Sequence, residues 1–261
     1  LSHNLLQRVG SMLGSENIPF QSTTFEDCTI QSKITQSEWP ENDSKQSKTI
    51  ITIGICGGTG AGKTTMSQSL YNQLGQDKNV TYLTHDDYYR DLSHLSMENR
   101  ANNNFDHPDS LETDLLIQHI TDLKAGRCVE VPKYDFTSHT RKESDAFVTT
   151  YPKKIIILEG ILIFSHPQLV DLLDVKVFVD AAPDVRLMRR MIRDTSERGR
   201  TMQQVIDQYR ATVKPMHDEY VDPSKRAADI MVHSDSQSHR GEVALQMLVN
   251  HVKVIASPLS L

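Results

Sequence analysis

"KTIITIGICGGTGAGKTTMSQSLYNQL", residues 48 to 74, carries three signals in succession. Ile50, Ile51, Ile53 and Ile55 form a β-branched run suited to a strand buried on both faces. A glycine cluster breaks the run, and Met66, Leu70 and Leu74 then recur at helical spacing. Strand, glycine-rich turn and helix are the setting that a phosphate-binding loop requires. The motif G-x-x-x-x-G-K-[ST] is met in full by Gly57, Gly62, Lys63 and Thr64. Backbone N–H groups from Gly57, Gly58, Thr59, Gly60, Ala61 and Gly62 into the helix start at Lys63, Thr64 and Thr65 favour an anion in one concavity. Lys63 can reach the β- and γ-phosphates of a nucleotide, and the Thr64 hydroxyl can ligate Mg²⁺. The competing reading is a chance glycine-rich turn before a helix.

Strands and helices alternate beyond this point. "VTYLT" (80–84), "KIIILEGILIF" and "VKVFVD" read as strands, and "ADIMV" as a late short one. "DSLETDLLIQHITDLKAG" reads as a helix with Leu111, Leu115, Ile120 and Leu123 in register. Asp109 and Glu112 suggest a capping box at its start, and Gly126 its stop. Pro183 suits the first turn of a following helix, and the arginine run and "MQQVIDQYRATVKPMHDEY" look helical. The pattern implies an α/β fold, a doubly wound parallel sheet with helices on both faces. "CVEVPKYDFTSHTR…DAFVTTYP" interrupts it with alternation typical of an antiparallel hairpin.

Composition narrows the function classes. A net charge of −6 argues against general nucleic-acid binding, and no apolar run reaches the length of a membrane span. Cys28, Cys56 and Cys128 are too scattered for a disulfide framework or zinc site, which suggests a reducing, cytoplasmic setting. Cys56, before the loop, invites a redox-switch reading against the plainer one of a small buried residue at a strand end. Residues 1–47 are polar and lack periodicity apart from "LLQRVGSML", a candidate short amphipathic helix. They are expected to form a largely disordered extension to a domain spanning 48–261; a truncated targeting segment is the alternative.

Against the acidic whole, "RLMRRMIRDTSERGR" (186–200) concentrates Arg186, Arg189, Arg190, Arg193, Arg198 and Arg200. It is a solvated helix face, a nucleic-acid surface or a cover for a small polyanion. Candidate carboxylates stand at strand ends, where ligands gather in open α/β sheets. Asp86 and Asp87 follow "VTYLT", and Glu159 follows "IIIL" as a Walker-B-type acid would. Solvated surface acids are also common after strands.

"GGTGAGKTT", "DDYYRD", "NFDHPDSLE", "PKYDFTSHTR", "LEGIL", "RDTSERGR" and "KPMHDEYVDPSKRAADI" stand in the order and spacing of the uridine–cytidine kinases. The chain resembles these members of the phosphoribulokinase/uridine kinase family over roughly residues 50 to 233. The resemblance implies a P-loop kinase fold and transfer of the γ-phosphate of ATP to the 5′-hydroxyl of uridine or cytidine, with Mg²⁺. It implies Asp86 as the proton acceptor near the metal, with Thr64 and Glu159 completing the metal site. Asp106 would bind the ribose hydroxyls, helped by Arg190 and Gln208. Tyr134 and His139 would bond the pyrimidine edge, and Tyr89, Phe105 and Phe136 would wall the base. Arg193, Arg198 and Arg200 would contact the triphosphate on a mobile lid, while Arg186 and Arg189 keep the solvated-face reading as an alternative. A homotetramer is implied by resemblance alone.

Two departures stand out. Ala61 replaces the serine that these kinases usually carry in the loop, and Asp87, where a small residue is usual, adds negative charge beside Asp86. The rivals are another small-metabolite kinase, such as phosphoribulokinase or pantothenate kinase, and a nucleotide-binding regulatory module that does not turn over.

Overall fold

A computed structural model describes residues 50–142, 147–234 and 240–256. The extension expected over residues 1–47, with its candidate helix, lies outside the described residues.

The opening stretch folds as strand β1 (Ile51–Cys56), a loop, and helix α1 (Lys63–Gln73). Strand β2 (Val80–Thr84) and helix α2 (Thr113–Lys124) follow. The excursion forms two small antiparallel ladders. One pairs β3 (Val129–Pro132) with β6 (Phe147–Thr150), and the other pairs β4 (Tyr134–Asp135) with β5 (Thr140–Arg141). The chain then enters β7 (Ile155–Glu159), β8 (Val175–Asp180), helix α3 (Pro183–Ser196), helix α4 (Met202–Gln208), β9 (Ile230–His233) and helix α5 (Arg240–Ala256).

The main sheet has five parallel strands in the order β2-β7-β1-β8-β9. Its central strands read as continuous apolar runs because both faces are covered. In β7, Ile155 and Ile157 join one core layer and Ile156 and Leu158 the other. Met66, Leu70 and Leu74 pack in the first layer with Leu248, Val249 and Val252 of α5. Leu116, Ile120 and Leu123 of α2 pack in the second. Full burial of each aliphatic side chain contributes about 1.5–3 kcal/mol, so the two layers hold helices on both faces. From β1 the chain runs to one side for β2 and β7, then crosses to the other for β8 and β9. That reversal opens a crevice beyond the carboxyl ends of the strands. Register aligns those ends: Glu159 stands opposite both Ile55 and Thr84.

Two local expectations fail. "KIIILEGILIF" is not one strand: β7 stops at Glu159, and Leu162, Ile163 and Phe164 turn down into the core. Gly160 permits the turn, since a Cβ there would lie 2.4 Å from the His85 Cβ. No capping box starts α2. Leu111 is held extended by a bridge to Tyr89, so the helix begins two residues later, and Glu112 accepts a hydrogen bond from Arg141 instead. Gly126, at φ 81°, does close the helix, its N–H donating to the Leu123 carbonyl at 2.9 Å. No helix among the described residues is long and apolar enough to cross a membrane.

Candidate active site

The loop from Gly57 to Gly62 bends through left-handed backbone at Gly57, Gly60 and Gly62. Side chains are excluded there by more than torsion. A Cβ on Gly57 would sit 2.2 Å from the Val179 carbonyl oxygen, and one on Gly60 equally close to that of Arg186. Ala61 is fully buried, so its methyl packs inward and a serine hydroxyl would have faced the core. Beyond the loop, the exposed Thr64 and Thr65 open α1. The Thr64 hydroxyl lies 3.1 and 3.0 Å from the two Glu159 carboxylate oxygens. Burial pushes the Glu159 carboxyl up from its ordinary value, against the pull of the Lys63 ammonium.

Residues 85–88 form a 3₁₀ turn directly after β2. Three of its four side chains are clamped. His85 reaches the Thr113 hydroxyl at 3.2 Å, Asp87 accepts from Lys133 Nζ at 2.7 Å, and Tyr88 Oη meets His119 Nδ1 at 3.0 Å. Asp87 therefore adds less free negative charge than its sequence position suggests. Asp86 alone in this turn makes no side-chain hydrogen bond among the described residues. Burial raises its carboxyl above the ordinary value, opposed by Lys63, Arg198 and Arg193.

Beside this turn the aromatic candidates assemble. Tyr89 meets Phe105 edge-on at 5.5 Å and Tyr134 at 4.9 Å; Tyr134 meets Phe136 at 5.1 Å. Phe105 stacks on His139 at 5.7 Å, with the His139 backbone at φ 52°. Asp106 lies buried nearby and accepts from the Thr212 hydroxyl at 3.3 Å. Burial raises its carboxyl, with Arg190 opposing.

The arginine run is organised by a residue that sequence reasoning passed over. Asp194 is 0% exposed and faces Arg190 at 3.5 Å, Arg193 at 2.8 Å, Arg198 at 3.6 Å and Arg200 at 3.1 Å. Burial alone would raise its carboxyl, but Arg190 and Arg193 outweigh burial and hold it below the ordinary value. Four guanidiniums around one carboxylate leave a surplus of positive charge facing the loop. Arg190 donates to the Thr59 hydroxyl at 3.1 Å and to Gln208 at 2.8 Å; Arg200 shares the same Gln208 oxygen at 2.7 Å. Arg198 lies 4.3 Å above the Phe136 ring, joining the arginines to the aromatic group. Arg190 and Asp194 stand one turn apart on α3, a spacing readable before folding, and Arg198 reaches Asp194 from just past the end of the helix.

Arg186 and Arg189 do not form a solvated face. Arg186 is 5% exposed and donates to the Ala181 carbonyl at 3.2 Å and to His217 Nε2 at 3.0 Å. Arg189 donates to Ser234 Oγ at 3.1 Å and to its carbonyl at 3.0 Å, against the loop carbonyls of Gly60 and Ala61. Helix α3 packs on the outside of the loop, which draws these side chains inward. Nor is Cys56 a switch: it is fully buried, donates to the Ile161 carbonyl, and burial pushes its thiol up to about 11, leaving it inert.

A phosphate loop, strand-end carboxylates, an aromatic cluster and an arginine cluster thus meet at one end of the sheet. Residues 52–239 match the model of the phosphoribulokinase/uridine kinase family. The chain is 46% identical to a uridine kinase of Lactobacillus johnsonii over 212 residues, covering 81% of this chain and 98% of that protein. It is 44% identical to a uridine kinase of Clostridium perfringens over 205 residues, covering 78% and 96% respectively. Among solved structures, D-glycerate 3-kinase from Cryptococcus neoformans superposes with a TM-score of 0.54 at 17% identity, covering 79% of this chain and 92% of that one. Phosphoribulokinase from Rhodobacter sphaeroides does so at 0.50 and 13%, covering 73% and 74%. The last two likenesses concern the fold, whereas the family model and the closer relatives concern the sequence that builds the site: this chain belongs to the phosphoribulokinase/uridine kinase family.

Proposed function

We propose that this protein transfers the γ-phosphoryl group of ATP to the 5′-hydroxyl of uridine and cytidine. The observation that carries the reading is Asp86, an unpaired strand-end carboxylate standing between the phosphate loop and the aromatic cluster. Its uridine kinase relatives, similar over nearly their whole length, support the acceptor.

Phosphoryl transfer requires alignment and charge stabilisation more than covalent help from the protein. Gly57 to Thr65 cradle the triphosphate through backbone N–H groups, and Lys63 reaches its terminal groups. Asp86 accepts the proton of the 5′-hydroxyl; its raised carboxyl makes it a stronger base than an ordinary aspartate. Asp106 accepts from the ribose hydroxyls, steadied by Arg190, Thr212 and Gln208. Tyr89, Phe105 and Phe136 flank the pyrimidine, and Tyr134 and His139 meet its polar edge. Arg193, Arg198 and Arg200 lie over the transferred group, where bidentate guanidinium forks suit phosphate oxygens.

Mg²⁺ fits the donors present. The Thr64 hydroxyl already points at both Glu159 oxygens, and hydroxyl, carboxylate and phosphate oxygens are the hard ligands this ion takes. Thr64, Glu159 and Asp86 would hold it, where it would neutralise charge on the β- and γ-phosphates. The family resemblance also supports a cytoplasmic homo-oligomer.

An ATP-consumption assay over uridine, cytidine, deoxyuridine, ribulose 5-phosphate and pantothenate tests the reading. Turnover is expected with the two ribonucleosides. Deoxyuridine should lose about one to two decades in kcat/KM, since Asp106 is left one partner short. Turnover confined to ribulose 5-phosphate or pantothenate would overturn the substrate. No turnover with any acceptor would favour a regulatory binding module.

A further inference from the structure

Resting on that reading, we infer that the Asp87–Lys133 ion pair is a latch that holds the proton acceptor and the pyrimidine wall at a fixed separation, making Asp87 and Lys133 positioning residues for the acceptor nucleoside. Lys133 Nζ lies 2.7 Å from Asp87 Oδ2, and the backbone N–H of Tyr134 approaches Asp87 Oδ1 at 3.5 Å. The Asp87 side chain is 13% exposed and that of Lys133 37%, so the carboxylate end of the pair is shielded while the ammonium end reaches solvent.

Geometry gives the pair two effects at once. In a 3₁₀ turn successive side chains project about 120° apart. Anchoring Asp87 outward on the hairpin therefore directs Asp86 away from it, into the crevice. The same carboxylate holds the start of β4, whose Tyr134 ring packs on Tyr89 and Phe136. The remaining anchors follow every second residue of the segment. Arg141 donates to the Tyr89 carbonyl at 2.9 Å, and the Thr140 hydroxyl donates to Asp91 at 2.8 Å. Positions 87, 89 and 91 thus bind the β4–β5 hairpin, and acceptor turn and hairpin form one body. The phosphate loop lies outside it. Of the three anchors, the latch lies next to Asp86 in the chain and is the one made between two charged side chains.

Steady-state kinetics of Lys133→Met, Lys133→Arg and Asp87→Asn, with uridine and ATP each varied, test the assignment. Loss of this charge-assisted bond should raise the uridine KM by about tenfold. The ATP KM should stay within twofold, and Lys133→Arg should behave as wild type. Hydrogen exchange across residues 133–141, without substrate, should quicken in Lys133→Met and Asp87→Asn while β1 and β7 keep their protection. A uridine KM within twofold of wild type, or an ATP KM rising in parallel, overturns the latch. Unchanged exchange of the hairpin does so too. Should Lys133→Met fail to fold, Asp87→Asn carries both measurements. If wild type phosphorylates no nucleoside, the substrate reading fails, and hydrogen exchange still decides the latch.

Discussion

Asp194 has no solvent exposure and four arginines within ion-pair distance, so its charge decides whether their cluster can exist without ligand. Asp194→Asn keeps the shape and leaves the guanidiniums without a counter-charge. Removing one partner of a buried pair costs about 3–5 kcal/mol. Urea unfolding is expected to show a loss of that order, narrowing when ADP supplies phosphate charge; wild-type stability without nucleotide would remove Asp194 from this role. Asp86 is expected to behave in the opposite way, since it makes no side-chain hydrogen bond that its loss would break. Asp86→Asn should leave binding of ATP and uridine within a few fold by calorimetry while kcat falls by ~10²–10⁴, the usual contribution of a general base. A kcat loss under about tenfold with binding intact would mean the base is elsewhere.

Helix α3 does two jobs along its length. Its first turns brace the phosphate loop, and its last turns, with the residues after them, carry the arginines gathered on Asp194. Arg186 belongs to the brace: its guanidinium would collide with any Cβ on Gly58, and its carbonyl with one on Gly60. Arg186→Ala should therefore lower stability by about 1.5–3 kcal/mol, the range for hydrogen bonds to charged groups, and raise the KM for ATP. Arg193→Ala, on a side chain 32% exposed and with three other arginines left around Asp194, should cost less stability than Asp194→Asn and lower kcat at least about tenfold. Thermal unfolding and kinetics of the two variants side by side make the comparison. Equal, small losses in both would reduce α3 to a charged surface helix. The helical stretch after α4 joins the two jobs. Tyr209–Val213 and His217–Val221 are wound as π-helix, a form frequent at functional sites. Thr212 in the first meets Asp106, and His217 in the second meets Arg186.

On the scale of the whole molecule, burial makes stability depend on pH. His85 is 1% exposed, and burial, aided by His166, lowers its imidazole to about 3. An unfolded histidine titrates near 6.5, so the unfolded chain binds more protons than the folded one between those values. Stability is full above about 6.5 and falls as pH drops toward 3, by at most about 1.4 kcal/mol per pH unit for this residue. His217, lowered to about 4 by burial and Arg186, acts in the same sense. Asp86, Asp106 and Glu159 are raised, so the folded state gains on them as pH falls through their own range, offsetting part of the loss. Denaturation series from pH 7 to 5 should show the decline, and His85→Gln should flatten it. An unchanged slope in that variant would place the proton uptake elsewhere.

Short-range pattern determined much of this protein. The phosphate loop was legible because its glycines and Lys63 fall within one stretch of seven residues, and the strands β1, β2 and β8 because apolar runs flanked by turns state their own burial. The strand-end positions of Asp86 and Glu159 follow from the same local grammar. Tertiary structure decided what depends on neighbours distant in the chain. Leu111 was drawn out of its helical pattern by a bridge to Tyr89, 22 positions earlier in the numbering. The strand β7 ended at Glu159 because Gly160 must clear His85. Arg186 and Arg189 kept a solvated-face alternative because charge on a helix does not state what faces it; contacts with the loop, more than 120 residues away in sequence, buried Arg186 and drew Arg189 against the Gly60 and Ala61 carbonyls. In the sequence, Asp194 is one of two acids within a basic run. It became the centre of that run because burial removes the water that would otherwise screen four guanidiniums from one another, and only the folded chain creates that burial.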